Sequence, residues 1–284
     1  MYRWRRVTAL VAAAVCILTA SPAHVVPLSA AQPNANQPLA VPPGGPARAW
    51  LVADMVSGAI LGGQDPYGAY APASTIKPLL AMVVLDQLRP DAAARANQSH
   101  TQVECSCAGV VAGQAYTVRQ LLDGLLLVSG NDAANMLADM VGGYRIAVAK
   151  MNAKAAAVGA RSTRSNSPSG LDGPGWESVS SPHDLAVIYR AALKYPMLVQ
   201  IMHQRVALFP DGMGGMRQIA NQDALLSTYP GFIGGKTGFT NLARETYVAM
   251  AQRNGRRLIT VLMYSQDDLQ DQARAVLDWG FNRT

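Results

Sequence analysis

The sequence predicts an α+β fold: one antiparallel β-sheet built from N- and C-terminal segments and flanked by helices, with a mainly helical subdomain inserted between them. Three observations carry this reading. Segments with strand character lie at both ends of the chain, 49–54 and 59–64 near the start, 232–240, 245–252 and 256–264 near the finish. Asn254-Gly255 separates the last two, and both residues tolerate the positive φ that a two-residue hairpin turn demands. The stretch between changes to helical punctuation, with Thr117 and Ser181 standing as N-caps before apolar runs. Strands from both termini around a helical middle are satisfied by one sheet that gathers the two ends.

The elements follow in order. Arg3, Arg5 and Arg6 precede an apolar run over 7–20, and small residues precede positions 24 and 32, so 1–31 is expected to be an export signal. A run of about fourteen residues falls short of the roughly 18–20 that a bilayer span needs. Residues 32–48, rich in Pro, Asn and Gly, are expected to form a flexible linker, leaving 49–284 as one domain. Ser57-Gly58 turns the first hairpin. A helix is expected over 75–88, its start fixed by Pro78, which is tolerated only in a first turn. The stretch 89–116 is loop-like. Thr117 opens a helix to about residue 128, and Asn131 or Asp132 opens another that ends at Gly142-Gly143; 144–158 continues helically. After a turn-rich 165–176, Ser181-Pro182-His183-Asp184 places a cap, a proline and an acid at the start of a helix to 194. A last helix is expected over 266–280.

Composition narrows the function. Of 284 residues, 50% are hydrophobic and 15% charged, enough for a large core. The formal charge of +6 includes the three arginines of the signal, and no basic stripe suggests a nucleic-acid partner. Beyond Cys16, the cysteines are Cys105 and Cys107. In an exported chain they are expected as a small disulfide, with two free thiols the other reading. No further cysteine or suitably spaced histidine accompanies them, so a metal site is not expected.

The chemistry is carried by Ser74-Thr75-Ile76-Lys77. Residues three apart share a helix face, so Lys77 can lie against the Ser74 hydroxyl and, when neutral, take its proton. Ser129-Gly130-Asn131 and Lys236-Thr237-Gly238 follow, each occurring once. In this order the three motifs resemble the signature of the penicillin-recognising serine enzymes. With 73–77, 129–134, 167–172, 180–188 and 234–239, the chain resembles the low-molecular-mass penicillin-binding proteins of peptidase family S11, the D-alanyl-D-alanine carboxypeptidases, over about residues 48–282.

That resemblance implies a β-lactamase/transpeptidase-like fold and an exported enzyme of the cell wall that removes the terminal D-alanine of peptidoglycan stem peptides through an acyl-enzyme on Ser74. It implies Lys77 as base, Ser129 as relay to the leaving amine, and Asn131 as a holder of the substrate backbone. Lys236 and Thr237 would receive the terminal carboxylate, and Gly238 would let the substrate approach as an added strand. The N–H groups of Ser74 and Phe239 would form the oxyanion hole, and Arg244 is a candidate second carboxylate contact. β-Lactams would be covalent inhibitors. No cofactor or metal is implied, and the chain is expected to be a monomer with no firm membrane anchor beyond its signal.

Competing readings are a D,D-endopeptidase that cuts cross-links, a class A-like β-lactamase, and a catalytically silent wall-binding domain. The β-lactamase pattern wants Ser-Asp-Asn and a water-activating glutamate. Here Gly130 takes the middle place, and between Asn131 and Lys236 the glutamate is Glu177, in a turn-rich stretch. A phosphate-binding loop over 231–237 fails because Pro230 stands where glycine is required. No Gly-x-Ser-x-Gly elbow supports a Ser-His-Asp hydrolase.

Overall fold

The computed structural model describes residues 45–283. The expected signal and most of the expected linker lie outside the described residues. The last linker residues are not free: Ala47 is buried and its N–H donates to Gln272 Oε1 at 2.9 Å, so the packed body starts before residue 49.

Nine strands and nine helices are found among the described residues. In chain order they are β1 (Ala49–Asp54), β2 (Ile60–Gln64), a 3₁₀ turn (Ala73–Ile76), α1 (Lys77–Leu85), β3 (Ala93–Arg95), α2 (Gln98–Thr101), β4 (Ala115–Thr117), α3 (Val118–Leu127), α4 (Asn131–Met140) and α5 (Tyr144–Val158). Then come α6 (Pro182–Ala192), α7 (Pro196–His203), β5 (Val206–Pro210), β6 (Met216–Ala220), α8 (Leu225–Thr228), β7 (Phe232–Thr240), β8 (Arg244–Arg253), β9 (Arg256–Ser265) and α9 (Gln270–Phe281).

The main sheet has the order β2-β1-β9-β8-β7, antiparallel throughout. N-terminal β1 lies against C-terminal β9, with Leu51 opposite Val261, so the two chain ends share one sheet as expected. Alternation sorts its side chains. Leu51, Val248, Ile259 and Val261 belong to the core they share with α1, α3 and α6, while Trp50, Val52, Tyr247, Leu258 and Leu262 lie in a second core with Val276 and Leu277 of α9. Both faces are covered, which is why β8 and β9 read as nearly continuous apolar runs. β7 ends the sheet, and its outer side carries no strand.

Helix starts match their caps. Thr117 and Gln120 form a reciprocal capping box at α3, and Ser181 Oγ accepts from Asp184 N at 3.1 Å at α6. Around Pro78 the chain differs from the expected helix over 75–88. Pro78 has no N–H to donate, so the chain enters α1 through a 3₁₀ turn. The stretch 89–116 is not wholly loop: β3 pairs with β4, and α2 lies between. Three-residue strands are too short to show alternation. The sequence reading offered nothing for 195–231, where α7, the β5–β6 hairpin and α8 lie. The last helix starts at Gln270 rather than 266, because Ser265 and Asp268 hold a polar turn through Asp267 N and Gln270 N.

Candidate active site

Ser74 sits in the 3₁₀ turn and Lys77 opens α1. The turn is held under constraint. Ala73, just before Ser74, has φ +48°, a left-handed conformation that a residue with a side chain adopts rarely. Gly170 of the 167–172 loop presses on it from below, so closely that a Cβ there would lie 1.9 Å from Ala73 O. Tyr189 of α6 donates its hydroxyl to Thr75 O at 3.0 Å, and Thr246 of β8 donates to Pro72 O at 3.0 Å. Ser74 is therefore held in position from three separate elements.

Lys77 is fully buried and stands at the centre of the site. Its Nζ lies 2.7 Å from Ser74 Oγ, 2.8 Å from Asn131 Oδ1 and 3.3 Å from Ser129 Oγ. Burial drives its pKa well below the usual lysine value, the Lys236 cation lowers it further, and Asp132 opposes both. Ser129 takes φ +59°, a local turn that brings its hydroxyl back toward Lys77 while Asn131 begins α4.

β7 supplies the second wall. Lys236 is buried, donates to Thr237 O at 2.7 Å, and is lowered to about 8 by burial, with Asp223 pulling the other way. At neutral pH the charge therefore rests on Lys236 and Lys77 is the amine driven toward its neutral form. Gly238 has a more immediate neighbour than any ligand: a Cβ there would stand 2.8 Å from Ser74 N and 3.0 Å from Thr75 N. The glycine lets β7 press directly against the turn that carries Ser74. Phe239 exposes over half its side chain on the same strand.

Hydrogen bonds thus join Ser74, Lys77, Ser129 and Asn131, and Gly238 abuts them. Arg244 is exposed at the β7–β8 turn opposite Thr240, with no carboxylate partner within ion-pair distance among the described residues. Glu177 is half-buried, and its carboxylate accepts from Gly175 N at 3.0 Å. Two of the histidines serve elsewhere: His100 Nδ1 accepts from Asn97 N, and the His183 ring lies tilted against Tyr67. Several supports escaped sequence reading: Tyr189, Thr246, Gly170, Asp223 and Asp132. Asp132 accepts from the N–H groups of Ala108, Gly109 and Val110, each at 2.8 Å. Its place directly after Asn131 was the available signal, but nothing local marked its distant partners.

A serine paired to a desolvated lysine, beside a sheet edge carrying a second lysine, is an arrangement suited to a serine acyl-transfer enzyme. A family model described as D-alanyl-D-alanine carboxypeptidase, peptidase S11, matches residues 36–267, and the chain belongs to this family. It is 53% identical to D-alanyl-D-alanine carboxypeptidase DacB2 of Mycobacterium tuberculosis over 88% of this chain and 86% of that protein. A crystal structure of a D-alanyl-D-alanine carboxypeptidase from Mycobacterium tuberculosis superposes with a TM-score of 0.84 at 52% identity, covering 88% of this chain and 97% of the other. The Streptomyces K15 DD-transpeptidase superposes with a TM-score of 0.79 at 29% identity, covering 85% and 99%.

Proposed function

We propose that this enzyme cleaves the terminal D-Ala-D-Ala bond of peptidoglycan stem peptides with Ser74 as nucleophile and Lys77 as its base. The observation that carries the assignment is the 2.7 Å contact between Ser74 Oγ and a lysine amine that burial pushes toward neutrality. Lys77 takes the hydroxyl proton as the Oγ–carbon bond forms. The developing oxyanion faces the N–H groups of Ser74 and Phe239, each such donor contributing about 10²–10³ in rate. The proton then passes from Lys77 through Ser129 to the departing D-alanine nitrogen as the amide breaks. Water attacks the ester, Lys77 accepts its proton and passes it to Ser74 Oγ as the ester bond breaks, and both residues are regenerated.

The unpaired outer side of β7 suits a substrate that lies antiparallel to it. In that orientation the terminal carboxylate meets Lys236 and Thr237, and the rest of the stem peptide runs toward Thr240. Asn131 holds the peptide from the opposite wall. β-Lactams enter by the same route and acylate Ser74. Their esters persist, because Glu177 is engaged with Gly175 rather than set to activate water. The basic and apolar start of the sequence supports work outside the cytoplasmic membrane. Among the described residues no single helix is long and apolar enough to cross a membrane.

The test is intact mass after exposure to penicillin, with turnover of a pentapeptide and of a cross-linked dimer. One adduct on Ser74, none in Ser74→Ala, and faster release of D-alanine from the pentapeptide are expected. Retained labelling in Ser74→Ala ends the nucleophile assignment, and preferential cutting of the dimer makes the enzyme an endopeptidase.

A further inference from the structure

The segment before the Ser129-Gly130-Asn131 motif is closed by a disulfide between Cys105 and Cys107. The carbonyls at this bridge both point at one residue. Ser106 O, inside the ring, accepts from Asn131 N at 2.6 Å, and Glu104 O, at its entrance, accepts from Asn131 Nδ2 at 2.7 Å. The first contact satisfies an N-terminal donor of α4, whose N-cap position is Gly130 and offers no side chain. The second fixes the amide. With Nδ2 committed to Glu104 O, Oδ1 faces Lys77 Nζ at 2.8 Å. Turned the other way, the amide would set donor against donor and lose both hydrogen bonds. The ring is anchored in turn by Ser106 Oγ, which donates to Val128 O at 3.2 Å.

The geometry points to Cys105 and Cys107 as positioning residues for the acylation step: their disulfide holds the two carbonyls that orient Asn131 toward Lys77. Freed of the bond, Glu104 and Ser106 regain backbone freedom, and the amide is no longer restricted to one face. The fold does not depend on the bridge. The ring spans two positions in sequence and removes little loop entropy, while Asp132 separately ties down residues 108–110. Loss of the bond should therefore be read in rate rather than in stability.

This rests on Ser74 being the acylated nucleophile, and the experiment separates the two. The second-order rate of labelling by a fluorescent penicillin is measured on three forms: oxidised protein, protein reduced with dithiothreitol, and the Cys105→Ser/Cys107→Ser variant. Dithiothreitol gives the bond two electrons and two protons, leaving two thiols, and closes to its own cyclic disulfide. Peptide mapping fixes the state of Cys105 and Cys107 in each sample. Labelling is expected to fall about tenfold in the reduced and substituted forms, roughly the worth of one lost hydrogen bond, with near-ultraviolet circular dichroism retained. The acid limb of the pH–rate profile should also move to lower pH. Lys77 loses an acceptor that favours its charged form, and a merely structural role would leave that limb in place. Equal rates in the oxidised and reduced forms, or a slower rate with an unmoved acid limb, overturn the inference. If the substituted protein does not fold, the reduction arm decides alone. Absence of a Ser74 adduct on oxidised protein overturns the nucleophile assignment and this inference together.

Discussion

A single methyl group at position 238 probes how tightly β7 and the nucleophile's turn are matched. In Gly238→Ala the new Cβ would lie 2.8 Å from Ser74 N, 3.0 Å from Thr75 N and 2.6 Å from Thr246 Oγ1. Ordinary contact begins at about 3.5 Å, so strand and turn must separate by about 0.7 Å. Thr246 cannot simply rotate away, because its hydroxyl is engaged with Pro72 O at 3.0 Å and Gly238 O at 3.1 Å. The turn cannot yield cheaply either, being held by Tyr189 above and Gly170 below. The shift falls between Ser74 and the strand that carries Lys236 and Phe239. A misplacement of about 1 Å costs on the order of 10² in rate, and overpacking costs about 1–3 kcal/mol. We therefore expect acylation by a fluorescent penicillin to fall by about 30–100-fold, with a Tm lowered by several degrees. Both are measured on purified protein, by labelling kinetics and by calorimetry. A rate within about threefold of the parent at an unchanged Tm would refute the idea that this contact sets the distance between the walls.

Other outcomes follow from the same geometry. The kcat/KM profile should rise on its acid side as Lys77 loses its proton and decline above about pH 8 as Lys236 loses its charge. Activity still rising at pH 9.5 would contradict this. Lys236→Arg keeps the cation and should move the alkaline decline upward. Lys77→Met should raise the Tm at neutral pH, since the unfolded lysine binds a proton that burial discourages in the folded state. Below the folded pKa that penalty is complete. It fades as pH climbs from there toward the unfolded value of about 10.4, so the gap between parent and variant should narrow over that window. Gly170→Ala should be among the most damaging single changes, adding a Cβ 1.9 Å from Ala73 O at a residue with φ +85°. A melting curve close to the parent's would show that the 167–172 loop can move away.

The sequence revealed what rests on local chemistry. The sheet shared by both chain ends was legible in the terminal strands and Asn254-Gly255, and the helix starts in Thr117 and Ser181. The serine–lysine contact followed from a spacing of three, although a 3₁₀ turn rather than an α-helix delivers it. Interactions between segments far apart in the chain stayed hidden. No pattern links Asp132 to residues 108–110, Tyr189 to Thr75, or Asn131 to the carbonyls beside the cysteines. Gly238 was read as clearance for a substrate, and its tightest neighbours prove to be Thr246 Oγ1 and the backbone of Ser74. The β5–β6 hairpin was missed because its strands leave Val206, Leu208 and Met216 exposed, without the one-sided burial that produces alternation.

The outer side of β7 has a cost as well as a use. No strand among the described residues pairs with that side, and any extended chain of suitable length can compete for its donors and acceptors. Crowding against partly unfolded protein will test that border first. A proline or a charge at the exposed position of Phe239 would guard against clumping and, by the same change, shut out a peptide docking along the strand as proposed.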